Sequence, residues 1–145
     1  MYRQNYSSAI LEEAVEQFAS LPGVGRRTAL RLALHMLSQP KENVERFASS
    51  FVRLKSDIRH CPHCNMISDD GICPFCSDAK RDHSVVCVVE SLRDVFSIEN
   101  TGQYNGLYHI LGGIISPMDG IGPADLPIRE LVERITQDGV KEVVL

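Results

Sequence analysis

Two cysteine pairs constrain this chain more than any other feature. They are Cys61-Pro62-His63-Cys64 and, after eight intervening residues, Cys73-Pro74-Phe75-Cys76. Each C-x-x-C pair brings two thiolates within reach of one ion, and Pro62, Gly71 and Pro74 favour tight turns that aim the sulfurs inward. Four soft anionic ligands suit a closed tetrahedral Zn²⁺ site with Zn–S near ~2.3 Å. Ligand type alone leaves rubredoxin-like iron binding open. A thioredoxin-like redox pair would need one C-x-x-C beside a βαβ pattern rather than two in tandem. Two disulfides would need an oxidising compartment, and Met1-Tyr2-Arg3-Gln4-Asn5-Tyr6 opens no secretory signal. The spacing therefore predicts one structural zinc held by Cys61, Cys64, Cys73 and Cys76. His60 and His63 flank a shell already closed by sulfur and read as turn or supporting residues.

The cysteine cluster also divides the chain, with helical patterns before it and strand and helix patterns after it. A length of 145 residues fits one ordinary domain or a string of small ones, and a zinc staple makes the string credible, because ~25 residues cannot bury enough apolar surface alone. We expect three modules: residues 1–55, 56–80 and 81–145. No apolar run approaches a membrane span and no targeting segment is visible, so reduced thiols and a cytoplasmic setting are expected. The net charge of −4 is unevenly spread. Residues 1–60 hold nine basic against six acidic side chains, and residues 84–145 hold four against nine. A basic front and an acidic rear are compatible with nucleic acid at one end and a different partner at the other, or with ordinary surface scatter.

In the first module Ile10, Leu11, Ala14, Val15 and Phe18 share one helical face. The pattern stops at Ser20-Leu21-Pro22-Gly23-Val24-Gly25, and a second helix is predicted from about Arg26 to Leu37 with Leu30, Leu34 and Leu37 as its apolar stripe. Helix, L-P-G-V-G, helix resembles the helix-hairpin-helix motif of DNA-binding proteins. Glycines let the backbone turn sharply and approach a ligand. The N–H groups that open a helix have no partner within it and can meet a phosphate oxygen. Gly23, Gly25 and the amides after them are the candidate cradle. Arg26, Arg27 and Arg31 follow, the last two four apart on one face, and Thr28 could add a hydroxyl. Such contacts position a backbone without reading bases.

A third helix follows Ser38-Gln39-Pro40-Lys41, with Val44, Phe47, Ala48, Phe51 and Leu54 at three- and four-residue spacing. Within the finger, Asn65 to Gly71 reads as an exposed loop. Beyond it, Ser84-Val85-Val86-Cys87-Val88-Val89-Glu90 is a continuous apolar run ending in an acid, as in a buried parallel strand. A helix over Ser91–Ile98, a strand over Leu107–Leu111 and a loop over Gly112–Ala124 are expected next. Asp125 suits a helix N-cap, with Ile128, Leu131, Val132 and Ile135 on one face and Gly139 at the end. Lys141-Glu142-Val143-Val144-Leu145 begins another strand, and a sheet whose last strand is the chain end predicts a chain cut short.

These modules in this order, with V-V-C-V-V-E-S and T-G-Q-Y-N-G-L-Y-H-I-L-G-G-I-I-S-P-M-D-G-I-G-P over 101–123, resemble the RecR family of bacterial recombination mediators along essentially the whole chain. The resemblance implies a multi-module fold: a helical helix-hairpin-helix region, a C4 zinc finger, then an α/β Toprim domain with a mainly parallel sheet, incomplete here because family members run on past this terminus. It implies a non-catalytic DNA-repair role, in which dimers or ring-like tetramers form a clamp around DNA. With RecO, and in other complexes RecF, the clamp would load RecA onto single strands coated by single-strand-binding protein, at the nucleoid. Carried over by position, Arg27 and Arg31 would face DNA, and Glu90 and Asp94 on the acidic rim would meet a partner protein.

The rival is a Toprim nuclease, topoisomerase or primase. Such enzymes pair a glutamate after the first strand with an Asp-x-Asp after a later one to hold Mg²⁺. Glu90 stands in the right place. No Asp-x-Asp occurs in these 145 residues, although the strand that such a pair would follow is the last one. P-G-V-G-R-R-T lacks the spacing of a P-loop, and no Ser/His/Asp triad is legible.

Overall fold

Ser8, in extended backbone, accepts a hydrogen bond from the Leu11 amide at 3.2 Å and so starts the first helix, α1 (Ala9–Ala19). Such a cap supplies an orphan N–H of the opening turn with an acceptor. The computed structural model describes residues 6–145, which form two compact units, one ending at Leu54 and one spanning Lys55–Leu145. In the first unit α1 packs on α2 (Arg26–Ser38) around Val15, Ala29 and Ala33, with Leu11, Ala14, Phe18 and Leu30 partly buried against them. The expected leucine stripe is corrected here. Leu34 and Leu37 are exposed, as is Ile10 of α1, and the buried face of α2 is made of alanines. Small side chains let two helix backbones approach closely, and the leucines are left flanking the contact. The third helix, α3 (Lys41–Asp57), buries no residue completely, and Phe47 and Phe51 stack edge to face on it at 4.9 Å while staying exposed.

The second unit opens with a short antiparallel hairpin, β1 (Arg59–His60) with β2 (Ile67–Ser68), and a one-turn helix, α4 (Pro74–Ser77). The segment expected as an exposed loop therefore turns inward: Met66 and Ser68 are buried, and only Asp69 to Gly71 project. A three-stranded sheet follows in the order β4 (Gly106–Ile110), β3 (Asp82–Val89), β5 (Glu142–Val144), with both pairs parallel. Parallel neighbours require crossovers. Helix α5 (Leu92–Asn100) supplies the first, and α6 (Ile128–Gln137) the second. Ser91 and Asp94 form a capping box at the start of α5. Asp125 does not cap α6, as the sequence suggested. It sits in a 3₁₀ turn (Pro123–Asp125), where its carboxylate accepts from the Gly122 amide at 2.8 Å, and Leu126 and Pro127 intervene before the helix.

The period-2 pleat sorts the strand residues onto two faces. Val86 and Val88 of β3 and Leu107 of β4 join Leu131 of α6 in one core. Cys87, Tyr108 and Ile110 face the other way and pack with Val95 of α5 and with Cys61, Cys64, Met66 and Cys73. Val132, expected on the buried stripe of α6, is exposed. The finger and the sheet thus share a core. Between them Arg81 grips Glu99 with two parallel bonds of 2.9 and 2.7 Å, donates to the Gly106 carbonyl at 3.0 Å, and lies over the Phe75 ring. The Tyr108 hydroxyl donates to the same Glu99 carboxylate at 2.6 Å. Arg81, and then the tyrosine, hold the Glu99 carboxyl below its usual range against the opposing effect of burial. No described helix is long and apolar enough to cross a membrane.

His109 is almost fully buried on the α6 side of β4. Its Nε2 donates to the Pro127 carbonyl at 2.9 Å, which leaves Nδ1 as the acceptor facing Arg134 at 3.4 Å. Burial first, and the guanidinium after it, lower its pKa. In the unfolded chain the imidazole titrates near ~6.5, so below that pH the unfolded state takes up a proton that the folded state resists. The stability conferred by neutral His109 is present above ~6.5 and lost as pH falls below it. Thermal melts from pH 7.5 to 5.5, followed by circular dichroism, should show a shallower decline for His109→Gln than for wild type. Equal slopes would remove His109 as the cause.

Candidate metal centre and nucleic-acid interface

The four Sγ atoms of Cys61, Cys64, Cys73 and Cys76 lie within 4.8 Å of one another, and the first three residues are buried. A regular tetrahedron with ~2.3 Å Zn–S bonds needs sulfurs about 3.8 Å apart. Cys64 and Cys73 approach to 3.5 Å, and all four cysteines are free thiols rather than disulfides. The donor set therefore fits a tetrathiolate ion. Local backbone geometry explains how it is built. The Cys61 amide donates to the Met66 carbonyl, and the Asn65 amide returns to the Cys61 carbonyl, closing the first turn. Asn65 adopts left-handed backbone with φ 65° to make that reversal, a conformation asparagine tolerates better than most residues. Met66 N–H donates to Cys64 Sγ, and Cys76 N–H donates to Cys73 Sγ, each at 3.4 Å. Proton sharing among the sulfurs is unequal. Hydrogen bonding with Cys64, then Cys76, holds the Cys73 thiol far below its usual value, while the same contact pushes Cys64 up. Crowded sulfurs cannot all be anionic without a cation between them, and Zn²⁺ makes all four thiolates at once.

The finger also completes the sheet. β4 is an edge strand, and its outward carbonyls find partners, as does the Ile110 amide. Ile110 N–H donates to the Cys64 carbonyl at 2.8 Å, and the Ile110 carbonyl accepts from Asn65 Nδ2 at 3.2 Å. The Tyr108 carbonyl accepts from Arg134 at 2.6 Å and the Gly106 carbonyl from Arg81 at 3.0 Å. Gly106 is glycine because a Cβ there would collide with the Tyr104 hydroxyl and come within 2.9 Å of the Val85 carbonyl. Sequence reasoning missed Asn65, Arg81 and Arg134. The signal for Arg134 was its place between Leu131 and Ile135 on the apolar stripe of α6.

In the first unit the α1–α2 turn is left open. Gly23 takes φ 78°, and Gly25 precedes α2 in extended backbone with no side-chain cap on the helix. The first closing bond of the helix runs from the Ala29 amide to the Gly25 carbonyl, so the amides of Arg26, Arg27 and Thr28 face outward without intrahelical partners. Beyond Gly23 and Gly25 the side-chain directions are empty space. Arg26, Arg27 and Arg31 are exposed, and no described carboxylate pairs with them. Thr28 is half-buried beside them. The structure thus gathers Gly23, Gly25, Arg26, Arg27, Thr28 and Arg31 around one helix start.

At the sheet's carboxyl end Glu90 is exposed, and its backbone carbonyl accepts from the Gly112 amide at 2.8 Å. The Asp94 carboxylate is engaged in the capping box, accepting from the Ser91 amide at 3.1 Å and the Ser91 hydroxyl at 3.3 Å. Neither acid joins a group of metal-ligating side chains among the described residues.

Replacing Cys61 or Cys76 by Ser should drop bound zinc well below one ion per chain by elemental analysis. Because Cys61, Cys64 and Cys73 are core residues of the second unit, the same variants should melt at lower temperature. A variant that keeps its zinc and melts as wild type would remove the metal from the fold's stability.

Comparison with known proteins gives three family matches along the chain. Residues 11–54 match the family described as RecR, helix-hairpin-helix, residues 58–78 match the RecR four-cysteine zinc finger domain, and residues 84–145 match Toprim domain. Recombination protein RecR of Porphyromonas gingivalis is 58% identical over 142 residues, covering 98% of this chain and 69% of that protein. Its counterpart in Parabacteroides distasonis is 56% identical, covering 98% of this chain and 68% of that protein. That of Flavobacterium psychrophilum is 50% identical, covering 96% of this chain and 68% of that protein. The cysteine cluster is accordingly a four-cysteine zinc finger with one structural zinc, and the α/β domain is a Toprim domain of the RecR kind rather than an enzyme's. From its helical hairpin through its finger to its parallel sheet, the chain belongs to the RecR family of recombination proteins.

Proposed function

We propose that this recombination mediator of DNA repair binds the DNA backbone through Gly23, Gly25, Arg26, Arg27, Thr28 and Arg31, without regard to sequence. The observation that carries this reading is the helix start at Gly25: uncapped, unobstructed, and followed by three exposed guanidinium groups that no described carboxylate pairs. Backbone amides and the positive end of the helix dipole suit a phosphate oxygen. Arginine adds charge and a planar donor fork. None of these groups presents a pattern matched to base edges. In this role the protein closes as a clamp around DNA and, with RecO and in other complexes RecF, promotes RecA loading on single strands coated by single-strand-binding protein. Glu90, exposed at the sheet's rim, is the stronger candidate for a partner contact, since the Asp94 carboxylate already caps α5. The modules acting here are residues 1–55, 56–80 and 81–145, and the setting is the cytoplasm, at the nucleoid.

The first unit also supports a second role in self-assembly. α3 leaves Phe47, Phe51, Val52 and Leu54 exposed, more apolar surface than one helix normally shows to water. A dimer or ring-like tetramer would cover it. Phe51→Ser should then lower the mass measured by light scattering, and an unchanged mass would exclude this helix from the contact.

Fluorescence anisotropy of labelled duplex and single-stranded DNA, titrated at several salt concentrations, tests the DNA reading. Wild type should bind unrelated sequences about equally, with affinity falling steeply as salt rises. Arg27→Ala should weaken every sequence to a similar extent and reduce the log–log salt slope by roughly one. Binding that is unaffected by Arg27→Ala and insensitive to salt would place the DNA contact elsewhere.

A further inference from the structure

Arg134 is 7% exposed, a depth at which arginine is almost always paired with an acid. No described carboxylate lies within 4.0 Å of it. All its hydrogen bonds are made by Nη1, to the Tyr108 carbonyl at 2.6 Å, the His63 carbonyl at 3.2 Å and His109 Nδ1 at 3.4 Å. A guanidinium cannot shed its proton to escape burial; the acceptors it reaches are neutral, and the acids that line a second cleft with it, Glu130, Glu133 and Asp138, make no ion pair with it. His63 belongs to the C-P-H-C turn and precedes Cys64. Arg134 also lines, with His63, His83, Asp138 and the ligand Cys76, a cleft of about 320 Å³. Four thiolates around one Zn²⁺ carry a net charge of about −2, and that charge sits beside this cleft.

We propose that Arg134 is the counter-charge and clamp of the zinc centre. Its guanidinium offsets the excess negative charge of the tetrathiolate, and the same group ties the first cysteine turn to the edge of β4 through the His63 and Tyr108 carbonyls. It touches no sulfur, so it acts as a positioning residue, through its field and through the turn it holds. An external anion is a poorer occupant of the cleft, because Cys76 and Asp138 already put negative charge on its wall. Metal-binding side chains are commonly oriented by such supporting groups, whose removal costs about 10- to 100-fold in affinity.

The test is zinc affinity, measured by competition with a chromogenic chelator for wild type, Arg134→Lys and Arg134→Gln. Arg134→Gln should bind Zn²⁺ at least about tenfold more weakly. Arg134→Lys, which keeps the charge but not the planar fork, should fall between the two. Affinities within twofold of wild type in both variants would overturn the proposal and leave Arg134 as a cap for the Tyr108 carbonyl alone. Should Arg134→Gln fail to fold, Arg134→Lys and hydrogen exchange on the wild-type protein decide. Stripping zinc with a chelator should accelerate amide exchange across residues 128–137 as well as 58–78. Acceleration confined to the finger would show that α6 does not sense the metal.

Discussion

Every outward polar group on an edge strand needs water or a partner, and at β4 the outward carbonyls find theirs within the chain. Cys64 and Asn65 from the finger meet Ile110, while Arg81 and Arg134 take the Gly106 and Tyr108 carbonyls. Much of the second unit follows from this one edge. The cysteine turn must sit where its carbonyl meets Ile110, so the ligands lie in the sheet's core rather than on an independent lobe. Asn65 takes left-handed backbone, and the tyrosine–glutamate–arginine network fills the space between finger and sheet. Zinc binding and sheet formation are therefore one cooperative event, in the sense that metal binding energy serves as folding energy.

The two candidate sites use backbone polarity in opposite ways. Around the zinc, N–H groups are consumed: by sulfur, by carbonyls of the turn, and by the neighbouring strand. At Gly25 they are withheld. A serine there would satisfy an opening amide of α2 and stabilise the helix by only a few tenths of a kcal/mol; glycine leaves those amides free. This helix start forgoes its cap beside three arginines that no described carboxylate pairs, so its opening amides stay open to solvent.

Much of this was legible in the sequence because it is written in spacing. The paired cysteines, the V-V-C-V-V run and the Gly-Pro punctuation fixed the modules and their order. The errors fell where packing distance or local hydrogen bonding decides. Leu34 and Leu37 have the right period for a core face, but the buried contact of α2 with α1 is made by Ala29 and Ala33, with Leu30 partly buried beside them. Asp125 has the right chemistry for an N-cap, yet Pro123 sets up a tighter turn that uses its carboxylate first. Asn65 read as exposed loop and Arg134 drew no reading, because hydropathy does not register a carbonyl awaiting a donor across 45 or 26 residues.

The capped edge of β4 also governs how this protein would fail. An uncovered parallel strand is a template on which a strand from another molecule can add. The finger occupies that template with its own backbone and keeps it occupied through four sulfurs and one ion. Oxidation or chelation at the cysteines would thus do more than loosen a small module. It would uncover a ready-made surface for strand addition, and the damage would spread from one chain to the next as aggregation.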